Sequence, residues 1–154
     1  MGLDAGDRAP KFRIETDAGD TFSSSGLKGA RYVVYFYPKD DTSGCTKEAV
    51  AFSAALPKFK KLDIAVLGVS KDSLESHAKF RKKHKLKVAL GADPELKMAQ
   101  SWGVWVEKTL YGRKYMGLER ATFLVSAKGL IEKAWHKVKV PGHVEAVLEA
   151  AGAS

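Results

Sequence analysis

The chain has 154 residues, of which 45% are hydrophobic and 29% charged, and its formal net charge is +8. This size and balance suit one globular domain over residues 1–154 with a sizeable core, and they leave little room for a second domain. The single cysteine, Cys45, excludes an intramolecular disulfide, and no apolar run approaches the length that spans a membrane. Because the N-terminus also lacks a signal-peptide pattern, we expect a cytoplasmic protein with no membrane partner.

The first predicted elements are a short hairpin and a buried strand. Residues 12–15 alternate between apolar and polar, residues 17–20 are turn formers, and residues 21–23 can return as the second arm of a hairpin. The continuous apolar run from Tyr32 to Tyr37 then predicts a strand buried on both faces. Pro38 ends that strand, because proline has no N–H to contribute to a ladder.

The cysteine lies where this strand gives way to a predicted helix. Residues 41–43 (Asp-Thr-Ser) are common N-cap types, and Glu48 with the apolar series behind it predicts a helix that begins close to the cysteine. Pro57, inside the same pattern, predicts a kink or a local break. Cys45 is therefore expected in the first turn of a helix, where free N–H groups and the positive end of the helix dipole favour a thiolate.

The remaining elements alternate between strand and helix and then end in a hairpin and a helix. We predict a strand over 64–70, a helix over 74–84 capped by Asp72 and Ser73, a short strand over 88–90, a short helix over 93–102, a hairpin with arms at 120–125 and 130–135, and a final amphipathic helix containing Val144 and Leu148. This order is typical of an α/β, thioredoxin-like fold. Such a fold has a central mixed sheet flanked by helices, here with an N-terminal β-hairpin.

Several segments resemble one protein family. Pro38, Thr42 and Cys45 match Pro-x-x-x-Thr-x-x-Cys, the active-site signature of the peroxiredoxins. The run Tyr-Phe-Tyr-Pro-Lys-Asp that begins at Tyr35 resembles their peroxiredoxin Q (bacterioferritin comigratory protein) branch. Matching segments at 6–12, 70–80, 102–108 and 117–124 extend the resemblance over nearly the whole chain. The resemblance implies a thiol-dependent peroxidase that reduces hydrogen peroxide and organic hydroperoxides without a cofactor.

The resemblance also implies roles for four residues. Cys45 would be the nucleophile, Thr42 would orient the peroxide, and Pro38 would shield the thiolate from bulk water. Peroxiredoxins place an arginine on a later strand, and the segment at 117–124 makes Arg120 the matching residue. Arginine suits this role because it stays charged and its planar fork can hold both the sulfur and the peroxide oxygens. Without the resemblance, Arg120 would be interpreted as a surface charge at the start of a strand.

Val50 departs from the family pattern. Many peroxiredoxin Q proteins carry a resolving cysteine five residues after the first, and here that position is valine, with no other cysteine in the chain. The sulfenic acid of Cys45 would then be resolved by an external thiol, from thioredoxin, glutaredoxin or glutathione. We expect this one-cysteine enzyme to be a monomer or a weak homodimer.

Two other functions are kept as alternatives. A redox-sensing or chaperone-like module would keep the cysteine but signal through its sulfenic acid. A nucleic-acid-binding protein would use the basic segment at 79–87, although solvated helix faces carry such charges equally well and no nucleic-acid-binding motif accompanies it. The four scattered histidines and one cysteine make no metal-ligand spacing. His77 is interpreted as a structural histidine, and Trp102 and Trp105 as core or pocket-rim residues.

Overall fold

The computed structural model describes residues 3–152, which form nine strands and four helices. The strands are β1 (Arg13–Thr16), β2 (Thr21–Ser23), β3 (Arg31–Phe36), β4 (Ile64–Ser70), β5 (Ala89–Ala92), β6 (Trp105–Leu110), β7 (Arg113–Leu118), β8 (Ala121–Val125) and β9 (Ile131–Trp135). The helices are α1 (Ser43–Lys61), α2 (Leu74–His84), α3 (Lys97–Ser101) and α4 (His143–Ala150). None of these helices is both long and apolar enough to cross a lipid bilayer.

Seven of the strands form one mixed sheet in the order β2-β1-β5-β4-β3-β8-β9. The central strands β3, β4 and β5 are parallel, and the flanking pairs are antiparallel. The predicted thioredoxin-like α/β fold is confirmed, as is the N-terminal hairpin, in which Arg13 pairs with Ser23. The hairpin of β8 and β9 and the final helix also lie where the sequence predicts them.

The strand that leads to the cysteine is buried on both faces. Val33 and Tyr35 face the cluster that contains Phe52 of α1, whereas Val34 and Phe36 face the cluster around Trp102. All four strand residues are fully buried, as the continuous apolar run predicts. Each face therefore contributes hydrophobic burial that fixes the position of the carboxyl end of β3.

A kink or a local break is predicted at Pro57, and the break is wrong. Helix α1 continues through the proline to Lys61, although Pro57 has no N–H to donate to the carbonyl of Ser53. Phe52 and Phe59, on either side of the proline, are fully buried in the same cluster. Their packing holds both halves of the helix in place, so the loss of one hydrogen bond does not end it.

Two other boundaries differ from the prediction. The third parallel strand covers Ala89–Ala92 rather than 88–90, and helix α3 covers Lys97–Ser101 rather than 93–102. Asp93 still acts at the start of that helix, because its carboxylate accepts hydrogen bonds from the N–H groups of Met98 and Ala99 at 3.2 and 2.8 Å. Asp93, which lies before helix α3, therefore caps the first N–H groups of that helix with its side chain.

The hairpin of β6 and β7 was not predicted. It forms a separate two-stranded sheet in which Trp105 pairs with Leu118 and Leu110 with Arg113. Most of its side chains are half-buried or exposed. A hairpin that does not pack on the core needs no alternation of apolar and polar residues, and without that alternation the sequence does not predict the two strands. Its second strand leads directly into the segment that carries Arg120.

Candidate active site

Cys45 lies in the first turn of α1, as predicted. Thr42 has the extended backbone of an N-cap residue, with φ −93° and ψ 157°. The hydrogen-bond ladder of the helix begins where the N–H of Thr46 donates to the carbonyl of Thr42 at 2.8 Å. The N–H groups of Ser43, Gly44 and Cys45 precede this bond and point out of the helix start. The side chain of Cys45 is 1% exposed, so its sulfur lies in an almost dry environment at the positive end of the helix dipole.

Arg120 joins the cysteine to a buried carboxyl group. Its Nη2 donates to Sγ of Cys45 at 3.3 Å, and its Nη1 donates to Oε1 of Glu48 at 2.8 Å. Burial by itself would lower the pKa of Arg120, but the charges and hydrogen bonds of Cys45 and Glu48 outweigh burial and raise it. The guanidinium is therefore a permanent cation in contact with the sulfur.

Gly44 leaves the space that this arginine occupies. A Cβ built on Gly44 would lie 3.2 Å from Nη2 of Arg120, closer than side chains normally approach. The backbone conformation at Gly44 is not the left-handed one that favours glycine. A larger residue at this position would therefore require the guanidinium of Arg120 to shift, whereas the backbone angles themselves do not require glycine.

Glu48 lies at the site, and the sequence predicts its place near the helix start but not its contact with Arg120. We interpreted it as a helix-start residue, yet its side chain is 0% exposed and faces Arg120 rather than a backbone N–H. Within residues 3–152, Oε2 of Glu48 has no hydrogen-bond partner. Burial raises the pKa of Glu48 to about 7 against the lowering effect of Arg120. The only sequence feature that could have indicated this role is an acidic residue one turn after the cysteine, and that feature is also typical of an ordinary helix start.

The raised pKa of Glu48 predicts a pH-dependent stability. Between its usual value of 4.5 and about 7, the folded protein keeps the proton that the unfolded chain has lost. The free energy of unfolding should therefore fall as pH rises through this window, by about 3 kcal/mol from this group. Glu48→Gln, which cannot ionise, should lose that dependence in urea titrations between pH 4.5 and 8. Glu75→Gln on the exposed face of α2 is the control, and parallel curves for wild type and Glu48→Gln would contradict the prediction.

Thr42 and Pro38 lie in the loop between β3 and α1. The hydroxyl of Thr42 donates to the carbonyl of Lys39 at 2.9 Å, and it does not cap the helix within the described part of the chain. Its hydrogen is therefore already used, and its oxygen lone pairs remain available as acceptors. Pro38 is half-buried directly after the strand end. The structure brings Cys45 and Arg120 into contact and places Thr42 one turn before the sulfur.

The surroundings of Arg120 contain two further titratable groups. Burial and the nearby Arg120 lower the pKa of His143 to about 4, so this ring is neutral at pH 7 and hydrogen-bonds to Thr122 at 2.8 Å. Burial also lowers the pKa of Lys108, which lies on β6 and donates to the carbonyl of Leu118. The unpredicted hairpin thus brings a second cation towards the site.

Other predicted features belong to the scaffold. His77 is fully buried, in agreement with a structural histidine, and Trp102 is fully buried in the core while Trp105 is half-buried. Two cations of the basic segment form ion pairs within the chain, since Arg81 pairs with Asp17 and Lys83 with Asp41. Residues 3–152 contain no group of three or more His, Cys, Asp or Glu side chains that could hold a metal ion.

Comparison with known proteins agrees with this arrangement. Residues 5–134 match the AhpC/TSA family. Peroxiredoxin Bcp of Bacillus subtilis is 44% identical over 149 residues, which cover 97% of this chain and 95% of that protein. The bacterioferritin comigratory protein of Xanthomonas campestris, solved in work on its alkyl peroxide reduction activity, has a TM-score of 0.86 at 40% identity and covers 91% of this chain, with 89% of its own chain matched. A Cys→Ser mutant of Xylella fastidiosa PrxQ has a TM-score of 0.90 at 35% identity, with 97% and 95% covered.

The chain therefore belongs to the AhpC/TSA family, and within that family to the peroxiredoxin Q (Bcp) branch. It is a thiol-dependent peroxidase, and its single cysteine fits a one-cysteine mechanism. Val50, five residues after Cys45 on α1, is 44% exposed, whereas Cys45 is buried.

Proposed function

We propose that Cys45, Arg120, Thr42 and Pro38 together carry out the reduction of hydroperoxides. The observation that supports this most directly is the contact of 3.3 Å between Nη2 of Arg120 and Sγ of Cys45. The thiolate attacks one peroxide oxygen, the S–O bond forms as the O–O bond breaks, and the departing oxygen leaves as an alkoxide or hydroxide that takes up a proton. Arg120 stabilises the charge that moves from sulfur to the departing oxygen.

Thr42 acts as an acceptor in this step. Because its own hydrogen is given to the carbonyl of Lys39, its oxygen can accept the O–H of the incoming hydroperoxide. The peroxide is then held between this acceptor and the guanidinium donor, with one oxygen directed at the sulfur. Pro38, half-buried directly after β3, limits the access of water to the sulfur. The alkyl peroxide activity described for the Xanthomonas campestris relative supports organic hydroperoxides as substrates here.

An external thiol completes the cycle. Its thiolate attacks the sulfur of the Cys45 sulfenic acid, an S–S bond forms, and the hydroxyl leaves as water after taking up a proton. A second thiol then releases the disulfide and restores Cys45. Because Cys45 is 1% exposed, a small thiol of the size of glutathione reaches the sulfur with less movement of the protein than thioredoxin or glutaredoxin would require. We propose glutathione or a comparable small thiol as the reductant, in a reducing compartment such as the cytoplasm.

Intact-mass measurement tests this cycle. One equivalent of peroxide should add one oxygen per chain, and excess peroxide should add a second oxygen by forming the sulfinic acid. With glutathione present, the product should instead be heavier by one glutathionyl group, with one thiol lost per chain. Cys45→Ser is the control and should show none of these additions. A Cys45–Cys45 dimer as the main turnover intermediate would contradict the external-thiol step.

Multiple-turnover kinetics separate the peroxidase from a redox sensor. A peroxidase consumes many equivalents of peroxide per chain when thiol is added, whereas a sensor stops after one.

We further propose that the chain is a single catalytic domain that does not bind nucleic acid. Arg81 pairs with Asp17 and Lys83 pairs with Asp41, so part of the charge of the basic segment is already balanced by acidic residues of the same chain. Salt-sensitive retention on DNA would contradict that part of the proposal.

A further inference from the structure

The loop that carries Thr42 and Pro38 is tied to helix α2 through Asp40. The carboxylate of Asp40 accepts hydrogen bonds from the hydroxyl of Tyr37 at 2.6 Å, from the hydroxyl of Ser76 at 2.8 Å and from Nδ1 of His77 at 2.7 Å. The N–H of Asp40 donates to Asp72 at 2.8 Å. Asp40 and His77 are both buried, so this connection lies beneath the loop rather than on its surface.

Both ring nitrogens of His77 make buried polar contacts. Its Nε2 lies 2.9 Å from the carbonyl of Gly91 on β5, which can only accept a hydrogen bond, and its Nδ1 faces the carboxylate of Asp40. Both ring nitrogens therefore face oxygen atoms, and the ring forms a buried pair with Asp40. Burial by itself would lower the pKa of His77, but the hydrogen bond and charge of Asp40 outweigh it and raise the pKa. The titratable groups that face the ring are Tyr37, Asp40 and Asp72.

The neighbouring aspartate makes a weaker, exposed connection to the same helix. Asp41 pairs with Lys83 and His84 at 2.7 Å each, and the side chains of Asp41 and Lys83 are 41% and 62% exposed. Ion pairs exposed to water contribute little to stability. The buried Asp40–His77 pair is therefore a stronger connection between the loop and α2 than the exposed pairs of Asp41.

We propose that His77 is a positioning residue for peroxide reduction, which holds the loop of Pro38 and Thr42 over Cys45 by fastening Asp40 to α2 and β5. The reasoning follows from the short distance along the chain. Asp40 lies between Pro38 and Thr42, and Thr42 is itself bonded to the carbonyl of Lys39. A loop released from His77 moves the peroxide acceptor relative to the sulfur, and misplacement of about 1 Å is enough to slow a reaction strongly. The proposal rests on the role of Thr42 proposed above.

Two substitutions of His77 separate positioning from stability. In His77→Asn the amide nitrogen occupies the place of Nδ1 and can still donate to Asp40, whereas in His77→Gln it occupies the place of Nε2 and can donate only to Gly91. Stopped-flow measurements should compare two reactions of Cys45, oxidation by hydrogen peroxide and alkylation by iodoacetamide, since only the first needs the positioned loop. We expect His77→Gln to lower the rate constant for peroxide by about 10-fold and to leave alkylation nearly unchanged. His77→Asn should melt at a lower temperature but keep the peroxide rate.

Each outcome decides the proposal. A wild-type peroxide rate in folded His77→Gln would overturn it, as would equal losses of rate in both variants in parallel with their melting temperatures. If His77→Gln does not fold, Asp40→Ala takes its place, with Asp41→Asn as the control in the same loop. A peroxide rate in Asp40→Ala equal to that of Asp41→Asn would overturn the proposal. A wild-type protein whose Cys45 does not react with peroxide would instead contradict the proposed catalytic roles themselves.

Discussion

Arg120→Lys is expected to lower the second-order rate constant for peroxide reduction by about 10³-fold. Lysine keeps the positive charge but has one compact ammonium group, and it cannot donate to Oε1 of Glu48 and to Sγ of Cys45 in the geometry of the planar fork. The variant also removes the hydrogen bond that Nη1 of Arg120 donates to Oε1 of the buried Glu48. The measurement is stopped-flow oxidation of Cys45 at pH 7 with hydrogen peroxide and with an alkyl hydroperoxide.

Arg113→Lys is the matched control for this substitution. Arg113 is exposed at the start of β7, the strand that leads towards Arg120, so the same change of side chain there should leave the rate within about twofold of wild type. Circular dichroism should show that both variants are folded. Near-native activity of Arg120→Lys would show that charge without the fork is sufficient and would contradict the role proposed for the guanidinium.

Thr42→Val is expected to lower the same rate constant by about 10²–10³-fold. Valine has nearly the shape of threonine but lacks the oxygen that accepts from the peroxide, and it also loses the hydrogen bond to the carbonyl of Lys39. The reaction of Cys45 with iodoacetamide should change far less, because alkylation needs the thiolate but not the peroxide acceptor. The ratio of the two rate constants is therefore the quantity to compare.

Thr42→Ser is the control that keeps the hydroxyl and removes only a methyl group. Its peroxide rate should stay within about 10-fold of wild type, because the serine oxygen can make the same two hydrogen bonds. Equal rates in the valine and serine variants would show that the site does not use the hydroxyl. A loss of alkylation as large as the loss of peroxide reduction would instead indicate that Thr42 acts by stabilising the thiolate.

Local patterns in the sequence were sufficient for much of the fold. The apolar run at Tyr32–Tyr37, the cap residues before Cys45 and the apolar series behind it determine a buried strand followed by a helix that begins close to the cysteine. Each of these signals acts between residues only a few positions apart, so it can be interpreted without knowledge of the tertiary structure. The chemistry at Cys45 followed from its place in the first turn. The absence of a second cysteine followed from counting.

The resemblance to peroxiredoxins added Arg120 to the predicted site residues. The residue pattern alone would have assigned this arginine to the surface. Periodicity cannot identify such a residue, because a strand that begins with a charge is common and the partner of the charge lies elsewhere in the chain. In the structure the partner is 75 residues away, across the space between β8 and α1. Only the folded structure brings these two side chains into contact.

The tertiary structure alone decided four further features of the protein. Glu48 turns inward to Arg120, α1 continues through Pro57, the hairpin of β6 and β7 leads into the arginine segment, and His77 reaches Asp40 beneath the loop between β3 and α1. Each depends on contacts between residues far apart in the chain, and burial there decides whether a side chain is charged, paired or packed. Such contacts leave no mark in local composition, because an acid in a helix, a proline after an apolar run and a histidine among lysines each fit several folded environments equally well. The local sequence determined where the single cysteine lies at the start of α1, and packing over long distances determined which groups surround it.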